Sequence, residues 1–271
     1  MTIKEHPIVI APHDPHIPVW RYMDFTKFVS MLENKGLYFS RSDKLGDPFE
    51  GSFSRGNEKL RPDIYKDAPP GALSDTYKVF QAMRMRTFVN CWHMNEYESD
   101  AMWKLYSKTN EAIAIKSSYQ QLKECLDNEC CLGMIQYIDY ESAWLPEGTL
   151  LSPYLFKRLS FSHENELRAV IQQEPIFEPT KELIKHGKLR IFSEGVWKAV
   201  DIDKMVCIPQ DPSVEGIWKP VEIDKLINEI YVAPMSPLWF RELVEQIIKR
   251  YGISKHVIQS SLDYKPFFNS F

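Results

Sequence analysis

The sequence predicts an α+β fold, with a mixed or antiparallel sheet and flanking helices. Two observations lead there. Short apolar runs at strand spacing alternate with runs at helical spacing, without a long strand–helix–strand rhythm. The chain's 11 glycines include no glycine-rich phosphate loop, which argues against a doubly wound sheet. At 44% hydrophobic and 13% aromatic, 271 residues supply a substantial core.

Residues 1–18 hold four prolines and three histidines without a period and read as an extended arm; residues 19–271 read as a single α+β domain. His6, His13 and His16 of the arm offer a metal set, but a solvated leader is the simpler reading. Val19 to Tyr22 is a short strand, and Asp24 is placed to cap a helix whose Phe25, Phe28, Val29 and Leu32 share a face. Gly36 is expected to close that helix, and Leu37 to Ser40 forms the next strand. A polar, turn-rich loop follows over Asp43–Gly51. Residues 54–75, charged and holding three prolines, read as an exposed excursion or lid.

Helices are expected over Tyr77–Arg86 and Ser99–Tyr106, with a strand over Phe88–Trp92 between them. Ala112–Ile115 and Met134–Ile138 read as strands around a helix beginning near Ser118 with Leu122 and Leu126 inward. Glu194-Gly195-Val196-Trp197-Lys198 recurs as Glu215-Gly216-Ile217-Trp218-Lys219, which suggests two similar strand-to-helix units over 194–225. Ile230–Val232 is a further strand. Ser236-Pro237 opens a helix with Phe240, Leu243, Val244, Ile247 and Ile248 inward, ending at Gly252.

The 33 basic residues nearly balance 37 acidic ones, so a net charge of −4 provides no global attraction to nucleic acid or anionic membranes. No apolar run is long enough to span a bilayer, and the start lacks the apolar stretch of a signal peptide. A cytoplasmic location without membrane contact is the expectation. Five cysteines without a CxxC pair argue against a disulfide framework or a structural zinc site.

The densest chemistry lies in Phe156–Arg168. On a strand beginning at Glu166, Leu167, Ala169 and Ile171 face one way and Glu166, Arg168 and Val170 the other. If the strand starts earlier, Glu164 joins the second face. With His163, Lys157 and Arg158 nearby, these residues form either an acid/base and anion-binding set or a salt-paired strand, in even balance. Cys91-Trp92-His93 ends a strand, but two residues apart is poor geometry for a thiol and its base. Trp92, Met102, Trp103 and Tyr106 either wall a pocket or pack in a core, packing being favoured. Arg21 interrupts an apolar strand and needs an anionic partner if buried. Asp43, Asp47 and Glu50 are candidates for Mg²⁺, or alternatively turn caps.

Trp20-Arg21-Tyr22-Met23-Asp24-Phe25, the run Leu37 to Gly51, Cys91-Trp92-His93, Met102 to Tyr106 and Phe161 to Arg168 resemble the signature segments of a widespread prokaryotic family of unknown function, over about residues 19–262. A more distant likeness is to the arginine-serine-glutamate ADP-ribosyltransferases: an arginine on a first strand, an aromatic-Ser-x-Ser strand and a later Glu-x-Glu. Arg41 stands where that class has threonine. The likeness implies NAD as co-substrate, Arg21 on its phosphates, Ser40 and Ser42 bracing the ribose, Glu166 catalytic and Glu164 orienting the acceptor. His93, Trp92, Trp103, Tyr106, Lys157, Arg158 and Arg168 would complete the substrate site. The acceptor, whether protein, nucleic acid or water, stays open. Two other readings stand beside it: a metal-dependent nuclease or phosphohydrolase using Asp47, Glu50, Glu164 and Glu166, and a non-enzymatic sensor or binding module in a stress or phage-defence system.

Overall fold

A computed structural model describes residues 4–68, 72–107, 109–173, 177–179, 205–207, 211 and 213–264. The fold is α+β, built on a nine-stranded mixed sheet with helices against it. The strands of that sheet are β1 (Pro18–Asp24), β2 (Gly36–Arg41), β3 (Thr87–Met94), β4 (Ala112–Ser118), β5 (Cys130–Met134), β8 (Glu166–Gln172), β11 (Gly216–Pro220), β12 (Glu229–Val232) and β13 (Val257–Gln259). Their order is β11-β2-β3-β1-β4-β12-β13, with β8 on the other edge of β3 and β5 beyond it. Every pairing is antiparallel except β12 with β13. Two small pairs stand apart: β6 (Gln136–Ile138) with β7 (Phe156–Arg158), and β9 (Phe177–Pro179) with β10 (Met205–Cys207).

The topology carries one feature that makes a site. One edge of β3 pairs with β8 from Thr87 to His93, but its other edge is shared. There β2 pairs at Phe88 and Val89, and β1 pairs at His93 and Met94. Asn90, Cys91 and Trp92 lie between, where the sheet splits.

Alternation along β8 follows the expected pattern. Leu167, Ala169 and Ile171 enter the main core with Phe88 and Trp92, while Val170 joins a second cluster with Val89 and Tyr154. The first helix, α1 (Phe25–Glu33), buries Phe28, Met31 and Leu32; Met31 takes the place expected for Val29. Asp24 occupies its N-cap position without a capping hydrogen bond from its side chain. The left-handed residue after α1 is Lys35 (φ 46°), not Gly36. Gly36 already lies in β2, where a Cβ would sit 2.6 Å from the Lys219 carbonyl oxygen of β11, so close strand approach explains that glycine.

Residues 54–68 are not wholly exposed. They form α2 (Arg55–Ile64) and bury Ser54, Asn57 and Arg61, the last paired with Glu147 at 2.7 Å. Next come α3 (Ala72–Arg84), α4 (Asp100–Tyr106) and α5 (Tyr119–Cys125); the caps Ser99 and Ser118 accept from Met102 and Gln121 as their sequences imply. The expected strand at Met134–Ile138 divides into the end of β5 and β6. Of the two similar units, the first falls at 194–204, outside the described residues; the second is β11 followed by α6 (Ile223–Leu226). The last helix, α7 (Leu238–Arg250), buries Phe240, Val244 and Ile248 and stops before Gly252 at φ 72°. Among the described residues no helix is long and apolar enough to cross a membrane.

Candidate functional site

The split in the sheet opens into a cleft of about 780 Å³, within the usual range for small-molecule sites. Its lining includes Arg21, Tyr38 and Ser40, then Cys91, Trp92 and His93, then Tyr106, Lys157, Phe161, Glu164, Glu166 and Arg168.

The cleft floor is an ionic network. Strand β8 projects Glu166 and Arg168 on the same face, and Arg168 is fully buried. Its Nε donates to Glu166 Oε1 at 2.6 Å, and its two terminal nitrogens hold Glu50 at 2.8 and 2.9 Å. Lys157, from β7, donates to Glu166 Oε2 at 3.1 Å, pairs with Glu50 at 3.5 Å and holds Glu164 closely. Burial raises the Glu166 pKa, but Arg168 and Lys157 more than offset this and hold it down to about 2. Burial likewise works against the Lys157 charge, and Glu166, Glu50 and Glu164 outweigh it and push its pKa up.

Glu164 is not on the strand. It ends a 3₁₀ segment, Leu159–Glu164, and Asn165 then turns through the left-handed region at φ 37°, a conformation that asparagine tolerates better than most residues. The expectation that Glu164 and Glu166 share a strand face is therefore corrected: the turn, not the pleat, brings both carboxylates to Lys157. Arg21 also departs from expectation. It pairs with Ile115, so it leaves the sheet on the Trp92 face, opposite Glu166, His93 and Cys91. It shares the cleft with them because the sheet is open there.

Arg21 makes no ion pair among the described residues. Its guanidinium donates to the Tyr38 carbonyl at 3.3 Å and lies 6.0 Å from the Trp92 ring centre. Burial lowers its pKa to about 10. Asn90 donates to the same carbonyl at 2.8 Å and accepts from Trp92 Nε1, which ties both sides of the split together.

Several predicted site residues lie elsewhere or do other work. Ser42 is buried and donates to the Arg84 carbonyl, so it does not brace a ligand. Trp103 packs edge-on against Tyr22 at 5.0 Å and donates to Glu98, outside the lining. Arg158 is also outside it and pairs with Asp47 at 2.8 Å. Asp47 and Glu50 thus neutralise arginines, and among the described residues no group of three or more His, Cys, Asp or Glu could hold a metal ion. Burial, with Glu166 adding, pushes the Cys91 thiol up, so it stays protonated and acts as a donor to Glu166. Arg41 is buried, pairs with Asp43 at 2.6 Å and donates to the carbonyls of Asp211 and Val214, a structural task.

Sequence reasoning missed Tyr38, Phe161 and Trp218 as walls of the cleft. Tyr38 was within reach, because it stands two residues before Ser40 on one strand and so shares its face. No family model, no curated protein and no solved structure matches the chain.

Proposed function

We propose that this cleft binds a phosphate-bearing nucleotide, with NAD the candidate, and that the chain cleaves or transfers at the N-glycosidic bond of that ligand. One observation carries the reading: Arg21, a desolvated guanidinium without a carboxylate partner among the described residues, lines the same cleft as Glu164 and Glu166. A half-buried cation without a counter-ion is costly, and a ligand phosphate would supply the missing charge bidentately. Tyr38, Trp92 and Trp218 offer faces for a base. At the other end, carboxylates beside a sugar that develops positive charge lower the barrier electrostatically. Glu164, with a side chain 13% exposed against 4% for Glu166, is the carboxylate that touches the ligand; Glu166 acts from behind it.

A second reading has its own support. Both Glu166 oxygens are engaged by Arg168 and Lys157, an arrangement equally suited to a sensor that binds the nucleotide without consuming it. Calorimetric titration with NAD, together with nicotinamide release and label transfer to lysate proteins, tests both. Binding with release that is lost in Glu164→Gln supports the enzyme. Binding without release or transfer selects the sensor, and no binding at all sinks both.

A further inference from the structure

We infer that His93 is the base of this site, taking a proton through Nε2 from the water or hydroxyl that attacks the bound nucleotide; the inference rests on the NAD reading above. The argument begins with the tautomer. His93 Nδ1 lies 2.6 Å from the carbonyl oxygen of Glu164, and a carbonyl only accepts, so Nδ1 carries the hydrogen and donates. In the neutral ring, Nε2 is then a bare lone pair. The residue is 8% exposed and lines the cleft, yet Nε2 is closed off and has no hydrogen-bond partner among the described residues. A buried polar atom left in that state calls for a partner, and a donor entering with a ligand would provide one. The Glu164 carbonyl fixes the ring as an orienting acceptor does for a catalytic imidazole, and it would stabilise the imidazolium once formed.

The surrounding groups agree with this role. Tyr22 from β1 stands with its ring centre 6.4 Å from that of His93, His163 and Glu164 come from the 3₁₀ segment, Glu166 faces it across the strand pair, and Tyr106 and Lys157 complete the lining. Burial, with His163 adding, lowers the His93 pKa against the opposing pull of Glu164, so the ring is a free base near neutral pH. In hydrolysis the water O–H bond breaks and its proton goes to Nε2. The water oxygen bonds to the anomeric carbon, while the carbon–nitrogen bond breaks and its electron pair leaves with neutral nicotinamide. The imidazolium then returns its proton to solvent.

The test uses the full chain, with heavy-nitrogen-labelled histidine for spectroscopy and His93→Gln as the variant. In the wild type, Nε2 is expected at the unprotonated nitrogen resonance in mildly alkaline buffer, and adding NAD is expected to shift it. The kcat for nicotinamide release should rise with pH through a pKa below the ordinary histidine value. In His93→Gln, kcat should fall about a hundredfold or more and lose that limb, with the NAD dissociation constant within about threefold of wild type. A protonated Nε2 overturns the inference whether or not the variant folds. Release that keeps its acid limb and rate in His93→Gln overturns it too, while leaving the NAD reading intact. A wild type that neither binds nor cleaves NAD sinks the NAD reading and the base with it.

Discussion

The floor of the cleft and the split above it bury charge in opposite ways. On the floor, Arg168 meets Glu50 and Glu166, and Lys157 meets Glu50, Glu164 and Glu166, so each buried ion has a counter-ion in contact. In the split, Arg21 meets, among the described residues, a peptide carbonyl and an indole face but no acid. A closed network of this kind fixes geometry and asks nothing from outside, whereas an open one has a cost that a ligand can remove. The floor therefore shapes the site, and the split recognises what enters it.

The sharpest way to break the comparison is at Arg168. Arg168→Leu leaves Glu50 and Glu166 with Lys157 as their one shared cation among the described residues, and removing one partner of a buried pair costs about 3–5 kcal/mol. Urea unfolding should show that loss. A cost below about 1 kcal/mol would mean the floor is not the closed network described.

Acid titration probes the same floor with a smaller effect. Glu166 has a pKa held below its unfolded value, so its stabilisation is present above about pH 4.3 and is lost as pH falls towards about 2. The depressed pKa corresponds to about 3 kcal/mol at most. In Glu166→Gln the slope of stability against pH in that window should flatten, whatever the variant's absolute stability. An unchanged slope would assign acid sensitivity to other carboxylates.

The contrast between the regions also explains what could be read from the sequence. The pleat of β8 and the stripe Phe240, Val244 and Ile248 of α7 depend on period alone and were legible. So were the helix starts at Ser99 and near Ser118, where the capping partners lie three residues away. The local pair of Glu166 with Arg168 was legible as the salt-paired strand, but the long-range ion pairs were not, because Asp47 and Arg158 are 111 residues apart, and Glu50 and Arg168 are 118 apart. Lys35 rather than Gly36 took the left-handed turn because the glycine was required by a strand that arrives 180 residues later, an effect with no local signal. Asn165 did carry a signal for the turn that separates Glu164 from Glu166, since asparagine is enriched in that conformation.

Arg21→Met sharpens the comparison from the other side. Removing a desolvated charge that no acid among the described residues balances should leave stability unchanged or raise it by about 1 kcal/mol. Its lowered pKa has the same sign, because the charged form is the one the fold disfavours. If the split is the anion site, the same variant should weaken NAD binding at least about tenfold in the calorimeter. A variant that loses stability and binds NAD normally would reverse the roles assigned to the two regions.

The smallest effect is expected at Tyr106, on the rim between them. Its hydroxyl donates to Glu164 Oε1 at a long 3.4 Å, and the side chain is 46% exposed. Tyr106→Phe should therefore cost no more than about 0.5 kcal/mol in thermal unfolding, the low end for a hydrogen bond that water can replace. Burial, with Glu164 adding, pushes the phenol up, so it is a donor throughout the physiological range and the effect should not vary with pH there. The hydroxyl contacts the more exposed of the two carboxylates, at the edge of the network, and leaves the pairs of Arg168 with Glu50 and Glu166 untouched. Any loss should thus appear in NAD cleavage before it appears in stability. A variant that unfolds more easily but cleaves normally would make Glu164 a purely structural member of the floor rather than the ligand-facing carboxylate.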